Sequence, residues 1–167
     1  MDATERMSDL PNITLRSVTP ADREFLLTVY AASRSIELSI LPWDDSQKRM
    51  FVEHQYDAQT AYYIEKFPAA THDIILSDGV PAGRIYVDRQ TDEIAILDVA
   101  VLIEFRGQGI GTHVIKRLQA EAAATGLFVG VFVEVFNPSQ KLFEELGFTA
   151  VTDDGVNRRF EWRDAVL

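Results

Sequence analysis

The chain has 167 residues, of which 47% are apolar, with 16 basic and 26 acidic side chains and a formal charge of −10. That is enough for one domain around one core, and the acidic surface repels phosphate backbones, which argues against nucleic acid as a partner. There is no cysteine, which excludes a disulfide framework, a thiolate metal site and a cysteine nucleophile and fits a reducing cytoplasm.

Residues 1–11 read as a disordered leader: Met1 to Leu10 mixes charges and has no apolar core. No run approaches the roughly 18 apolar residues of a spanning helix, so no membrane is expected. Residues 12–167 are read as one domain. Ile13, Leu15 and Val18 suggest a strand over Asn12–Val18. Thr19-Pro20 reads as a helix start, with Phe25, Leu26, Val29 and Tyr30 striping a helix to about Ser33. Leu41-Pro42-Trp43 interrupts the chain. Asp44 and Gln47 form a capping-box pattern for a long helix from Asp45 to about Lys66, stopped by Phe67-Pro68.

The period then changes. Asp73–Ser77 and Val80–Asp88 read as strands joined by Asp78-Gly79, a type I′ hairpin signal. Glu93–Ile103 is a third strand, followed by glycines at 107, 109 and 111. A helix from about Gly109 to Thr125 carries Ile110, Val114, Leu118 and Ala122 at four-residue spacing, with Gly126 as its stop. Leu127–Phe136 is nearly continuously apolar, which predicts burial on both faces. Asn137 and Pro138 open a helix closed by Gly147, and strands over Phe148–Thr152 and Arg158–Arg163 finish the chain. The expected class is α/β (α+β), with a mixed sheet of about seven strands and four helices in the order β-α-α-β-β-β-α-β-α-β-β.

Arg106-Gly107-Gln108-Gly109-Ile110-Gly111 is the most informative segment. Glycines between a strand and a helix let amides converge on a ligand, and the helix start adds roughly half a positive charge, so the turn can cradle phosphate. Arg106 can add a charged contact. A Walker loop would end in Gly-Lys-Ser/Thr, and a dinucleotide fingerprint would put glycine where Thr112 stands. A tight turn without ligand is the remaining alternative.

The order of elements, the Arg106-x-x-Gly109-x-Gly111 turn and Leu142-Phe143-x-x-Leu146-Gly147-Phe148 some thirty residues later together resemble the GNAT acetyltransferase superfamily. The resemblance implies acetyl-CoA as cosubstrate and an amine acceptor, with direct attack in a ternary complex; it leaves room for a homodimer. It assigns the pyrophosphate to amides of Gly107, Gln108, Gly109, Ile110 and Gly111 with Thr112, and the pantetheine arm to main-chain groups of Val99, Ala100 and Val101. Asn137, Ser139 and Phe143 would flank that arm.

The proton path is open. The family's usual donor is a tyrosine where Phe143 stands here, and a lost general acid typically costs about 10²–10⁴-fold. Tyr62, Tyr63 and Tyr86 are candidate substitutes. Candidate bases are Glu93, which shares a strand face with Ala95 and Leu97; Asp98, expected on the opposite face and tied to backbone or an arginine; and Glu134, an acid in an apolar run. Tyr30 and Trp43 could line an acceptor pocket. His54, His72 and His113 show no ligand spacing, so no metal is expected. The alternative function is a non-catalytic acyl-CoA binding or sensing module.

Overall fold

The computed structural model describes residues 10–135 and 137–165. Residues 1–9, most of the expected leader, and Phe136 lie outside the described residues. Seven strands form one open sheet in the order β1-β2-β3-β4-β5-β7-β6. They are β1 Ile13–Ser17, β2 Thr71–Ser77, β3 Val80–Arg89, β4 Glu93–Val101, β5 Phe128–Glu134, β6 Thr149–Asp153 and β7 Asn157–Trp162. Five helices accompany them: α1 Arg23–Ser33, α2 Ser35–Ser39, α3 Asp45–Lys66, α4 Ile110–Thr125 and α5 Ser139–Glu145. The short α2 adds to the four expected helices, in the stretch before Leu41.

Local signals act where the sequence puts them. Asp44 and Gln47 close both bonds of the capping box at 2.8 and 3.0 Å. Asp78 and Gly79 both take positive φ, as a type I′ turn requires. Thr19 opens a single 3₁₀ turn over Pro20–Asp22, not an α-helix: the Asp22 carboxylate accepts from the Thr19 N–H at 2.8 Å and pairs with Arg16, and α1 begins only at Arg23.

Two layers of helix sandwich the sheet. On one face, α4 and α5 cover Ile85, Val87, Ile94, Ile96, Val129, Val131 and Phe160. On the other, Leu26, Leu27 and Tyr30 of α1 and Val52 and Tyr56 of α3 pack over Ile74. That second layer stops short of β5. Phe132 is therefore 62% exposed, and β5 is buried on both faces only in its first half, a correction to the reading of 127–136 as fully interior.

Two features of β4 place the site. Its pairing with β3 slips between Tyr86↔Asp98 and Val87↔Ile96, so Leu97 is the extra residue of a β-bulge. Its parallel pairing with β5 begins at Glu93↔Phe128 and ends at Ile96↔Val131. Beyond that pair β4 runs on to Val101 and β5 to Glu134 without bonding each other, and the sheet forks.

Candidate active site

A cleft of about 430 Å³ fills the fork. Leu97, Asp98, Val99 and Ala100 form one wall and Val131 to Glu134 the other, with Asn137, Ser139 and Phe143 at the α5 side. Tyr30 and Ser33 of α1, Arg34 just past its end, and Gln59, Tyr62 and Tyr63 of α3 close the opposite side. Val99 and Val101 direct their side chains to the α4 core. The β4 main chain past Ile96 has β3 on one edge and no strand on the other, so alternate N–H and C=O groups face the fork.

The glycine turn lies past the end of β4. Gly107 and Gly109 have φ of 76° and 78°, a region costly for residues with a Cβ. Gly109 is the N-cap of α4 and the first helical bond is His113 N–H to Gly109 C=O, 2.9 Å. The amides of Ile110, Gly111 and Thr112 thus have no partner within the helix. Gly111 faces α5: a Cβ there would come within 3.3 Å of the Leu142 side chain, a close contact. Arg106 donates to the carbonyls of Val101 at 3.0 Å and Ala32 at 3.5 Å, tying the end of β4 to the end of α1. Asn137 accepts from the Ser139 N–H at 2.9 Å and caps α5. The unpaired strand edge and the free amides are the donor set that an extended amide-bearing arm ending in phosphates requires, and the residues fit coenzyme A.

The three candidate bases fare differently. Glu93 sits where β4 is still paired to β5, is absent from the cleft lining, and is held by Arg159 at 2.5 Å. Asp98 does line the cleft. The bulge at Leu97 breaks the expected alternation, so Asp98 shares the face of Ala95 and Tyr86. Arg84, 1% exposed, donates Nε to Asp98 Oδ2 at 2.7 Å and Nη2 to Gln59 at 2.6 Å, with its guanidinium over the Tyr56 ring. All the contacts to Asp98 fall on Oδ2, and Oδ1 takes no hydrogen bond from the described residues. Glu134 also lines the cleft and pairs with Arg34 at 3.0 Å across the mouth. The Arg34 guanidinium lies 5.4 Å from the Tyr30 ring centre, and its pKa stays above the ordinary value, with burial opposing and Tyr30 and Glu134 outweighing it.

Among the aromatics, Tyr30 reaches the cleft and Trp43 does not: Trp43 packs on Phe51 at 5.4 Å. Phe143 is 1% exposed and set edge-on to Phe148 at 5.1 Å, so it forms a wall without a hydroxyl. Tyr63 spends its hydroxyl proton on the Leu97 carbonyl at 2.9 Å. Burial, with Asp98 second, pushes its phenol pKa up. Tyr86 packs against Tyr63 at 4.9 Å and stacks on His72 at 4.4 Å, behind the cleft wall. His54 and His113 are exposed, and no cluster of metal-ligating side chains occurs among the described residues.

Sequence reasoning missed Arg34, Gln59, Arg84 and Gln140. Arg84 had a signal: a lone guanidinium within an apolar strand demands a buried partner. Gln140, 9% exposed, donates to the carbonyls of Glu134 and Val135 and fastens the β5 arm of the fork.

Strand order, fork and glycine turn together define the acetyltransferase type of α/β fold. The model of the acetyltransferase (GNAT) family matches residues 35–148, and the chain belongs to that family. Similar solved structures include the PaiA N-acetyltransferase of Thermoplasma acidophilum in complex with coenzyme A, at TM-score 0.70 and 15% identity over 92% of this chain and 99% of that one. An acetyltransferase of Thermus thermophilus gives 0.65 and 22%, covering 90% and 96%. Arabidopsis thaliana Naa50 in complex with the bisubstrate analogue CoA-Ac-MVNAL gives 0.60 and 13%, covering 91% and 99%. The curated proteins contain no match.

Proposed function

We propose that this protein transfers an acetyl group from acetyl-CoA to an amine of a small molecule, peptide or protein, by direct attack in a ternary complex, and that it works in the cytoplasm. The observation that carries the reading is the fork: β4 and β5 part after Ile96↔Val131, a cleft fills the gap, and the chain beyond the freed end of β4 runs into the glycine turn at the head of α4. Bound acetyl-CoA supplies an activated thioester carbonyl.

The amides of Gln108 to Thr112 hold the pyrophosphate, and the free edge of Val99 to Val101 bonds the pantetheine amides. Asn137, Ser139 and Phe143 flank the arm. The acceptor enters from the side of Tyr30, Arg34, Gln59 and Tyr62. Asp98, steadied by Arg84 and with Oδ1 toward no described partner, is the preferred base that takes a proton from the acceptor's ammonium so that the neutral amine can attack, and Glu134 is the second. Water protonates the departing thiolate, because Phe143 has no proton and Tyr63 has committed its own.

The test is release of free thiol from acetyl-CoA, screened across amines, polyamines, amino acids and peptides. Acceptor-dependent release supports transfer. One observation favours the alternative, a non-catalytic acyl-CoA binding module: both cleft carboxylates are engaged by arginines and the donor position is phenylalanine. Calorimetric binding of CoA with no release for any acceptor selects that module.

A further inference from the structure

Helix α3 is tied to the β4 bulge by the Tyr63 hydroxyl, which donates to the Leu97 carbonyl at 2.9 Å from 34 residues away in sequence. Its position is informative. Leu97 is the extra residue of the bulge and the first residue beyond the last β4–β5 pair. A bulge residue has a weakened strand ladder to hold it, and here no β5 partner stands opposite. The peptide between Leu97 and Asp98 is therefore the least constrained of the strand at the point where the sheet opens. Its carbonyl and the Asp98 N–H are opposite ends of one planar trans unit. Anchoring one end fixes the direction of the other.

The anchor is itself stiff. The Tyr63 ring packs on Tyr86 at 4.9 Å, and Tyr86 stacks on His72 at 4.4 Å with 18° between ring planes. Tyr86 is the cross-strand partner of Asp98, so the stack stands directly behind the bulge. Tyr63 is half-buried and its proton is held by the Leu97 carbonyl.

We infer that Tyr63 is a positioning residue: its hydroxyl fixes the Leu97–Asp98 peptide at the fork, and with it the amide and carboxylate that Asp98 presents to the reacting groups. The inference rests on the acetyl-transfer reading of the same cleft. It assigns Tyr63 no proton transfer to substrate.

Tyr63→Phe keeps the ring and removes the bond. For the transferase, kcat falls at least about tenfold while KM for acetyl-CoA stays within twofold, because pyrophosphate and arm contacts are untouched. A second readout does not depend on turnover. Leu97-Asp98 is the only Leu-Asp step in the sequence, so carbonyl-¹³C leucine with ¹⁵N aspartate yields one carbonyl–amide NMR signal. In Tyr63→Phe that signal moves while the Kd for CoA stays within twofold. Wild-type kcat in the variant, a fall in kcat matched by an equal rise in KM, or an unmoved signal each overturn the inference. If the variant does not fold, wild type decides: the Leu97 carbonyl shows an H/D isotope shift from the phenol proton, and its absence overturns the assignment. Wild type that turns over no acceptor sinks the acetyl-transfer reading instead, and the signal still reports on Tyr63 by itself.

Discussion

Glu93 is the sharpest test of how the site is assigned, because strand alternation offers it as a base and the fold gives it other work. Its carboxylate is 12% exposed and Arg159, 19% exposed, meets it at 2.5 Å. Arg159 also bonds Glu161 at 3.2 Å and lies 5.1 Å over the Phe132 ring. The pair sits tightly on Gly130, where an added Cβ would overlap both partners. Glu93→Gln keeps the shape and deletes the charge. Breaking a buried pair outright costs about 3–5 kcal/mol, but the amide still accepts a hydrogen bond and Arg159 keeps two other contacts. The expected loss is nearer the ~1.5–3 kcal/mol of one charge-assisted bond. At about 2–4 °C per kcal/mol for a chain of this size, the Tm falls by roughly 3–12 °C. Catalysis should survive, with kcat within about twofold of wild type where acceptor turnover is measurable. Urea unfolding gives the first quantity and thiol release the second. A fall in kcat of about a hundredfold or more at unchanged stability would refute this placement and return Glu93 to the chemistry.

Three further outcomes follow from the same geometry. Phe143→Tyr puts a hydroxyl on the cleft wall, and kcat should rise at least about tenfold; unchanged kcat with a loss of ~1–3 kcal/mol would mean the new hydroxyl is buried against Phe148 and Phe160. Gly109→Ala forces a Cβ onto φ of 78° at the head of α4; about 1–2 kcal/mol of strain and a several-fold weaker Kd for CoA by calorimetry are expected, and unaltered binding would count against the turn as the phosphate cradle. His72 is held neutral, its pKa lowered to about 4 by burial and then by Arg84, with Nε2 unpartnered among the described residues. The unfolded chain binds this proton near pH 6.5 and the folded one near 4, so the stabilisation is full above about pH 6.5 and is lost as pH falls toward 4. Discounted for the solvent the ring still meets, it amounts to about 1–2 kcal/mol; urea midpoints at pH 7 and 4.5 should converge in His72→Phe, and an equal pH drop in that variant would exclude His72 as the cause.

Much of this fold was legible because its signals are local. The capping box at Asp44 and Gln47, the turn at Asp78-Gly79, the stop at Gly126 and the four-residue spacing from Ile110 act through neighbours a few positions away. The glycine turn was legible for the same reason: glycines with positive φ and a helix start are adjacent in the chain. The carboxylates were not. Strict two-residue alternation put Asp98 on the wrong face, because a bulge at Leu97 leaves no compositional mark. Residue type could not tell Glu93 from Glu134, since Arg159 and Arg34 reach them from 66 and 100 residues away.

The sequence by itself determined the seven strands, the four longer helices and their order along the chain, and the glycine turn at the head of α4. The tertiary structure decided where β4 and β5 part, which acid faces the opening, and which arginine holds each one. Hydrogen bonding within a turn or along a helix is set by adjacent residues. The direction of a strand peptide at a fork is set by what packs behind it, here the stack of Tyr63, Tyr86 and His72.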